Sequence, residues 1–376
     1  MEKQEKLIEI IVGICVQVLS LNKTWTSDKQ LPELSVEDWE QFLSVASKHG
    51  VLPVVMQLFE DRKIEDKDVR KVILKWYAVA QGNKRRYQIR LQTIRDLAEM
   101  FAEEGMDMMV FKGVALAQLY PSPDWRVFSD IDFYLYGYWQ KGVEVMERHG
   151  IENKPFCHHH TQASLHGVLL ENHYDIVERL NHRLNIVLDD ELKTMALEEG
   201  RSIKASFMDD HVTNVYMMTP TMNAVFLMRH MSAHFVSETI PLRMLIDWIL
   251  FLKYHAKDVD WKRVCKLYEK GGMMEFVGII MGLIRVHFHI EYPEVPIVIV
   301  ANEHIGKVWD SIVFPPDTNP YKKNSISYWA YEIKTFFNNR WKHQIVYAGE
   351  SYSLLFVQYT RSALKRKFGL LKMKEG

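Results

Sequence analysis

The stretch RVFSDIDFYL, residues 126–135, combines a β-strand pattern with two carboxylates, Asp130 and Asp132. Strand side chains alternate between faces, so both carboxylates project from one face, about 7 Å apart along the strand. Ile131 and Phe133 then fill the opposite face. Like charges held this close repel unless a cation or a basic side chain lies between them. Mg²⁺ takes one or two carboxylates together with water and phosphate oxygens, so the pattern predicts a divalent-metal site on one strand face.

The residues before this strand predict an anion-binding turn. Met106–Val110 has the pattern of a short buried strand, and Val114–Tyr120 that of a short helix, with Lys112 and Gly113 between them. A glycine lets a backbone approach a ligand closely, and a helix start offers free N–H groups to a phosphate. Lys112 adds positive charge there. Arg126 can clamp a phosphate with its planar guanidinium, or form an ion pair with Asp124 or Asp130. Together these groups fit the needs of phosphoryl transfer.

At this point the chain resembles the core of the nucleotidyltransferase-fold (polymerase-β-like) superfamily. It is most similar to a bacterial branch described only as uncharacterised nucleotidyltransferases. The resemblance rests on Lys112-Gly113, Leu116, Tyr120, Arg126 and Ser129-Asp-Ile-Asp132. It covers roughly residues 105–177 and continues more weakly to about residue 252. The superfamily usually has Gly-Ser in the turn where this chain has Lys-Gly, which leaves open how a triphosphate is held.

The resemblance implies transfer of a nucleoside monophosphate from an NTP to an acceptor hydroxyl. In that mechanism Asp130 and Asp132 bind two Mg²⁺ (or Mn²⁺) ions. A third carboxylate from a neighbouring strand assists the second ion and takes the hydroxyl proton. The resemblance favours Asp175 for this role. Glu171, earlier in the same β-rich segment, is the alternative, and we expect only one of the two to point into the site. The residues expected to contact the NTP are Lys112, Gly113, Arg126 and Ser129.

The acceptor stays open between a small molecule, a protein side chain and an RNA such as a tRNA end. The chain has 47 basic and 48 acidic residues, which gives no support for a strongly basic nucleic-acid face. The cluster Lys84-Arg-Arg86 with Arg90, and a basic tail over residues 362–374, keep RNA or an anionic membrane surface as alternatives. The replaced Gly-Ser turn motivates a different class of function, a catalytically degenerate relative that acts as a binding or scaffold protein.

Histidines form two further candidate sites. In Cys157-His-His-His160, strand alternation lets only His158 and His160 share a metal ion, and a zinc site needs more ligands than that. The alternatives are exposed or substrate-facing histidines on a hairpin arm that turns at His166-Gly167. His230 and His234 share one helix face by their spacing, as do Arg243 and Asp247 on the next helix, where we expect the two to form an ion pair. These four residues face the nucleotide or second substrate, or else fix the packing of the helices.

The whole pattern predicts an α+β fold, in which a small mixed β-sheet carries the site and N- and C-terminal helical segments flank it. We expect a helical region over residues 1–104, the α/β core over 105–215 and a helical domain over 216–376. Three widely spaced cysteines do not suit a disulfide framework and favour a reducing cytoplasm. The apolar residues 7–21 are interrupted by Glu9 and Gln17, and no run of eighteen apolar residues occurs, so neither a signal peptide nor a membrane span is expected.

Overall fold

A computed structural model describes residues 2–21, 34–60, 62–157, 159–179, 182–198, 202–298, 303–315, 319–323 and 325–367. The strands are β1 (Met108–Phe111), β2 (Asp130–Tyr134), β3 (Lys154–Cys157), β4 (His160–Leu165), β5 (Val168–His173), β6 (Ser202–Lys204) and β7 (Val215–Met218). The helices of the first two thirds are α1 (Glu2–Val18), α2 (Val36–Lys48), α3 (Leu52–Met56), α4 (Lys67–Ala102), α5 (Gly113–Ala117), α6 (Trp139–Arg148), α7 (Arg183–Leu197), α8 (Pro220–Ser237) and α9 (Leu242–His255). The remaining helices are α10 (Trp261–Lys270), α11 (Met274–Phe288), α12 (Glu303–Val313), α13 (Ile326–Asn338), α14 (Arg340–Val346) and α15 (Tyr352–Lys367).

The strands form one mixed sheet in the order β3-β4-β5-β2-β1-β7-β6. At its centre, β2 is antiparallel to β1 and parallel to β5, and β1 is parallel to β7. Both strands predicted around the Lys-Gly turn are therefore present and adjacent. The α+β fold with a mixed sheet between helices is confirmed.

Local sequence signals explain where several elements begin and turn. The β4–β5 hairpin turns at His166 and Gly167, both with positive φ, as the turn pattern predicts. The Thr219 hydroxyl accepts a hydrogen bond from the Met222 N–H and so caps α8, with Pro220 in the first turn. Gly82 does not interrupt α4, which runs as one helix to Ala102. None of the helices in the described part of the chain is both long and apolar enough to cross a bilayer.

Two buried clusters cover the two faces of the sheet. On one face, α4 and α6 pack on the central strands, and the rings of Phe101 and Phe133 lie 5.7 Å apart. On the other face, Phe111 of β1 packs against Phe226 of α8, with ring centroids 5.2 Å apart. This second cluster also includes residues of α1–α3 and α9–α12, so helices from both ends of the chain meet on one side of the sheet. The expected division at residues 104/105 and 215/216 stays a prediction.

A buried ion pair joins the helical layer to the Lys-Gly turn. Nε and Nη2 of Arg126 each donate to the Asp247 carboxylate of α9 over 2.8 Å, and Nη1 donates to the Gly113 carbonyl over 3.0 Å. The Tyr120 hydroxyl donates to the same carboxylate over 2.9 Å. Both charged side chains are about 95% buried or more, so each depends on the other for its neutralisation.

Removal of one partner of this pair should destabilise the fold strongly. We expect Asp247→Ala to lower the free energy of unfolding by about 3–5 kcal/mol, because it leaves the Arg126 charge buried and unpaired. Arg148→Ala, which breaks the exposed pair between Arg148 and Glu104, should cost less than about 1 kcal/mol. Urea unfolding of both variants measures this contrast. Equal costs for the two variants would contradict a structural role for the buried pair.

Candidate functional site

The pairing of β2 and β5 brings three carboxylates onto one sheet face. Asp132 of β2 lies directly opposite Glu171 of the parallel strand β5, and Phe111 of β1 lies opposite Asp132 on its other side. Residues directly opposite one another in a sheet project from the same face. Asp130, two residues earlier, shares that face. The three carboxylates therefore lie on the side of the sheet that α8 covers.

Asp132 is the most buried of the three, with 1% of its side chain exposed. Its Oδ1 accepts a hydrogen bond from Lys112 Nζ over 2.7 Å and lies 3.0 Å from Nε2 of His173. Its Oδ2 is buried and makes no hydrogen bond with any described residue. Burial opposes ionisation, but Lys112 and His173 outweigh it and hold the pKa of Asp132 well below its usual range. Asp132 is therefore a carboxylate with one unused coordination atom.

Asp130 and Glu171 are harder to ionise. Burial and the neighbouring charge of Asp132 raise the pKa of Asp130. Burial, followed by the charges of Asp132 and Asp130, raises the pKa of Glu171 to about 7. Lys112 partly offsets both effects, and Arg243 adds to the offset at Asp130. The three carboxylates nevertheless raise one another's cost of ionisation, which a bound cation would relieve.

The Lys-Gly turn holds β2 in place. Lys112 adopts φ 54° and ψ −127°, a conformation that few residues with a side chain adopt. A Cβ on Gly113 would come within 2.9 Å of the Phe128 ring and 3.3 Å of the Asp130 carbonyl oxygen. We expected Gly113 to admit a ligand, but the chain's own residues take that space. The following helix α5 has only five residues, so the turn positions Asp130 and Lys112 rather than forming a long helix terminus.

Arg126 does not present its guanidinium to an open phosphate site, since Asp247 and the Gly113 carbonyl hold it. Its partner is neither Asp124 nor Asp130, the neighbours considered from the sequence. The expected contact of Arg126 with a phosphate is therefore replaced by a positioning role, in which Arg126 supports the turn that carries Lys112.

Arg243 of α9 lines an open cleft beside Asp130. This cleft, with a volume of about 210 Å³, has Gly113, Ser129, Asp130 and Arg243 among its lining residues. Among the described residues, no hydrogen bond or ion pair engages the Arg243 guanidinium, because Asp247, its expected helix partner, binds Arg126 and Tyr120. His230 and His234 of α8 also line the cleft, their rings 4.8 Å apart. The i,i+4 spacing of Arg243 and Asp247 signalled these residues, but it pointed to the wrong ion pair.

Asp175 lies beyond the end of β5, which stops at His173. Its carboxylate binds Lys193 of α7, and Lys193 also pairs with Asp189 over 2.8 Å. Glu171 and Asp175 are four residues apart, so a continuous strand would have placed both on one face. The strand ends between them, and this leaves Glu171 beside Asp132. We therefore replace Asp175 by Glu171 as the candidate third carboxylate.

The histidine stretch also differs from expectation. His158 and the Cys157 side chain lie outside what the structure describes. One ring nitrogen from each of His159, His160 and His173 lies within 4.8 Å of the other two. The ligand atoms of Asp132, Glu171 and His173 form a second group with the same spacing. His173, fully buried on β5, belongs to both groups. No spacing rule along the sequence signalled His173, because its neighbours come from other strands.

The raised pKa of Glu171 predicts a pH-dependent effect of Glu171→Gln on the metal-free protein. The glutamate has a pKa of about 7 in the folded chain and 4.5 as its ordinary value. Wild-type stability therefore falls as pH rises from about 4.5 through 7, because the unfolded chain releases this proton first. Glutamine has no such titration. We expect the melting temperature of the variant to exceed that of the wild type more at pH 8 than at pH 5, and a constant difference would refute the raised pKa.

Comparison with known proteins assigns the family. The family described as uncharacterised nucleotidyltransferase matches residues 35–289, more than half of the chain. Comparison with curated proteins and with solved structures gave no match. The match spans the turn, β2, β5 and the helices α8 and α9, and so includes every group of the carboxylate face. The chain belongs to this family of uncharacterised nucleotidyltransferases.

Proposed function

We propose that this protein is a Mg²⁺-dependent nucleotidyltransferase that moves a nucleoside monophosphate from an NTP to an acceptor hydroxyl and releases pyrophosphate. The observation that carries the proposal is the register of β2 and β5, which sets Asp132 beside Glu171 on the face that also holds Asp130. Family membership supports the reaction class. The NTP, the metal ion and the acceptor are parts of the proposal.

The residues present fit a divalent ion. The buried Oδ2 of Asp132 makes no hydrogen bond among the described residues, and a polar atom in that position is costly unless a ligand satisfies it. Asp130, Asp132 and Glu171 would hold the ion. When bound, the ion would neutralise charge on the transferring phosphate and favour ionisation of the attacking hydroxyl.

The protein groups around the carboxylates supply the rest of the chemistry. Glu171, directly opposite Asp132 in the sheet, is the carboxylate placed to accept the hydroxyl proton. Lys112 and Arg243 line the cleft beside Asp130 and offer positive charge to a triphosphate. Ser129, exposed immediately before β2, offers a hydroxyl to the same ligand. Arg126 acts through the turn that it supports.

The acceptor would occupy a neighbouring cavity of about 390 Å³. Lys112 and His159 line its end nearest the carboxylates, and Phe336, His343 and Tyr347 line the C-terminal side. These last residues lie beyond the family match, which ends at residue 289. This side of the cavity is therefore formed by residues outside the region that the family model matches. A cavity of this volume suits a small molecule.

An RNA acceptor has less support. Arg90, expected in a basic surface cluster, is buried, and its guanidinium lies 4.6 Å from the Phe128 ring centroid. Only Lys84, Arg85 and Arg86 of that cluster remain on the surface. The basic tail from residue 368 onward lies outside the described part of the chain.

The cytoplasmic location stays a prediction from cysteine usage.

Transfer of label from α-labelled NTPs tests the proposal, with a small-molecule extract, protein and RNA offered as separate acceptors. We expect Asp130→Asn with Asp132→Asn to abolish transfer. Glu171→Gln should lower the rate by about a hundredfold or more, as for loss of a general base. Asp175→Asn should lower it much less, since its carboxylate binds Lys193. A double variant that still transfers label would refute the site, and a larger loss for Asp175→Asn would restore Asp175 as the third carboxylate.

The degenerate alternative predicts a different result in the same experiment. A binding or scaffold relative would transfer no label to any acceptor, and the wild type would behave like the double variant. It would also gain no stability from NTP with Mg²⁺, whereas a ligand at a hundred times its Kd stabilises a protein by about 2.7 kcal/mol.

A further inference from the structure

The hydrogen bonds of His173 are those of a metal ligand. Its Nδ1 lies 3.1 Å from the backbone carbonyl oxygen of Asp175. A carbonyl only accepts, so Nδ1 carries a hydrogen and donates it. Metal-binding histidines commonly orient themselves in this way, with one nitrogen donating to a carbonyl and the other binding the ion. The structure thus aims Nε2 at the carboxylate face.

Nε2 of His173 faces two carboxylate oxygens, which are hydrogen-bond acceptors. It lies 3.0 Å from Asp132 Oδ1 and 3.8 Å from Glu171 Oε2. An imidazole nitrogen and carboxylate oxygens this close need a proton or a metal ion among them. A proton on Nε2, a proton that Glu171 shares with Asp132, or a metal ion would each meet this need. The ligand atoms of Asp132, Glu171 and His173 lie within 4.8 Å of one another, close enough to share one metal ion, and Oδ2 of Asp132 makes no hydrogen bond among the described residues.

Two more imidazoles adjoin this point. Nε2 of His160 lies 3.3 Å from Glu171 Oε1. The ring of His159 lies 5.0 Å from that of His173, and its Nδ1 is buried without a hydrogen bond among the described residues. The β3–β4 turn and the strands β4 and β5 thus bring nitrogen donors to a face whose other ligands are oxygens.

We propose that Asp132, Glu171 and His173 bind a first-row transition-metal dication such as Mn²⁺ in preference to Mg²⁺, with His159 and His160 beside it. This inference rests on the proposed function, because it names the ion that the same carboxylates use. Mg²⁺ takes oxygen ligands and keeps its water, whereas imidazole with carboxylate suits Mn²⁺, Fe²⁺, Co²⁺ and Zn²⁺. Each imidazole on this face therefore shifts selectivity away from Mg²⁺.

Mn²⁺ binding to the chelator-treated full chain, without nucleotide, tests the inference. The electron paramagnetic resonance signal of free Mn²⁺ reports binding, and Mg²⁺ is then added as competitor. We expect Mn²⁺ to bind and Mg²⁺ to displace it only in large excess. His173→Gln should weaken Mn²⁺ binding by about ten- to a hundredfold, whereas His211→Gln, at an exposed site, should leave it unchanged. Equal affinity for both ions, or an unaffected His173→Gln, would overturn the proposal.

A second measurement needs no variant, since His173 is fully buried and its replacement risks the fold. Electron spin echo modulation of the Mn²⁺-loaded wild type should show coupling to imidazole nitrogen, and its absence would overturn the proposal. Neither measurement depends on transfer. Nitrogen coupling without label transfer would reject the nucleotidyltransferase and keep the metal site. Label transfer with Mg²⁺ and no nitrogen coupling would keep the nucleotidyltransferase and reject the histidine-containing metal site.

Discussion

Mutual repulsion among three carboxylates is the constraint around which the site is arranged. The parallel pairing of β2 with β5 sets Asp132 beside Glu171 and leaves Asp130 on the same face. Lys112 and His173 stabilise Asp132 as an anion, while the other two carboxylates ionise less readily. Carboxylates held close together on a buried face repel one another in a metal-free protein and can share a bound cation. The site thus lowers the stability of the metal-free protein and raises its affinity for a cation.

The surrounding fold holds that face in position. The apolar cluster of α4 and α6 packs on the sheet face opposite the carboxylates, and α8 and α9 cover the carboxylate face. The ion pair of Arg126 with Asp247 connects α9 to the turn that presents Lys112. Arg243, four residues before Asp247 on the same helix, is thereby brought to the cleft beside Asp130. The helical layer consequently positions both the turn and the cationic side of the site.

Local pattern was enough for some of these features and insufficient for others. Alternation around Asp130 and Asp132 predicts the strand and its acidic face, and His166-Gly167 predicts the hairpin turn. The sequence favours Asp175 as the third carboxylate, whereas the sheet sets Glu171 beside Asp132, because the end of β5 depends on sheet pairing, which no periodicity records. The Arg126 partner lies 121 residues away in sequence, and His159 joins His173 from a different strand connection. Such contacts depend on tertiary packing, which a single sequence does not encode in its spacing.

The central claim is that the Asp130, Asp132 and Glu171 face binds a divalent ion together with an NTP. A crystal structure with Mn²⁺ and a non-hydrolysable NTP analogue, phased to show the anomalous scattering of Mn²⁺, tests it most directly. The account predicts an anomalous peak between Asp132 and Glu171 and a triphosphate beside Arg243. A nucleotide bound elsewhere, or bound in this cleft with no ion on the three carboxylates, would contradict it.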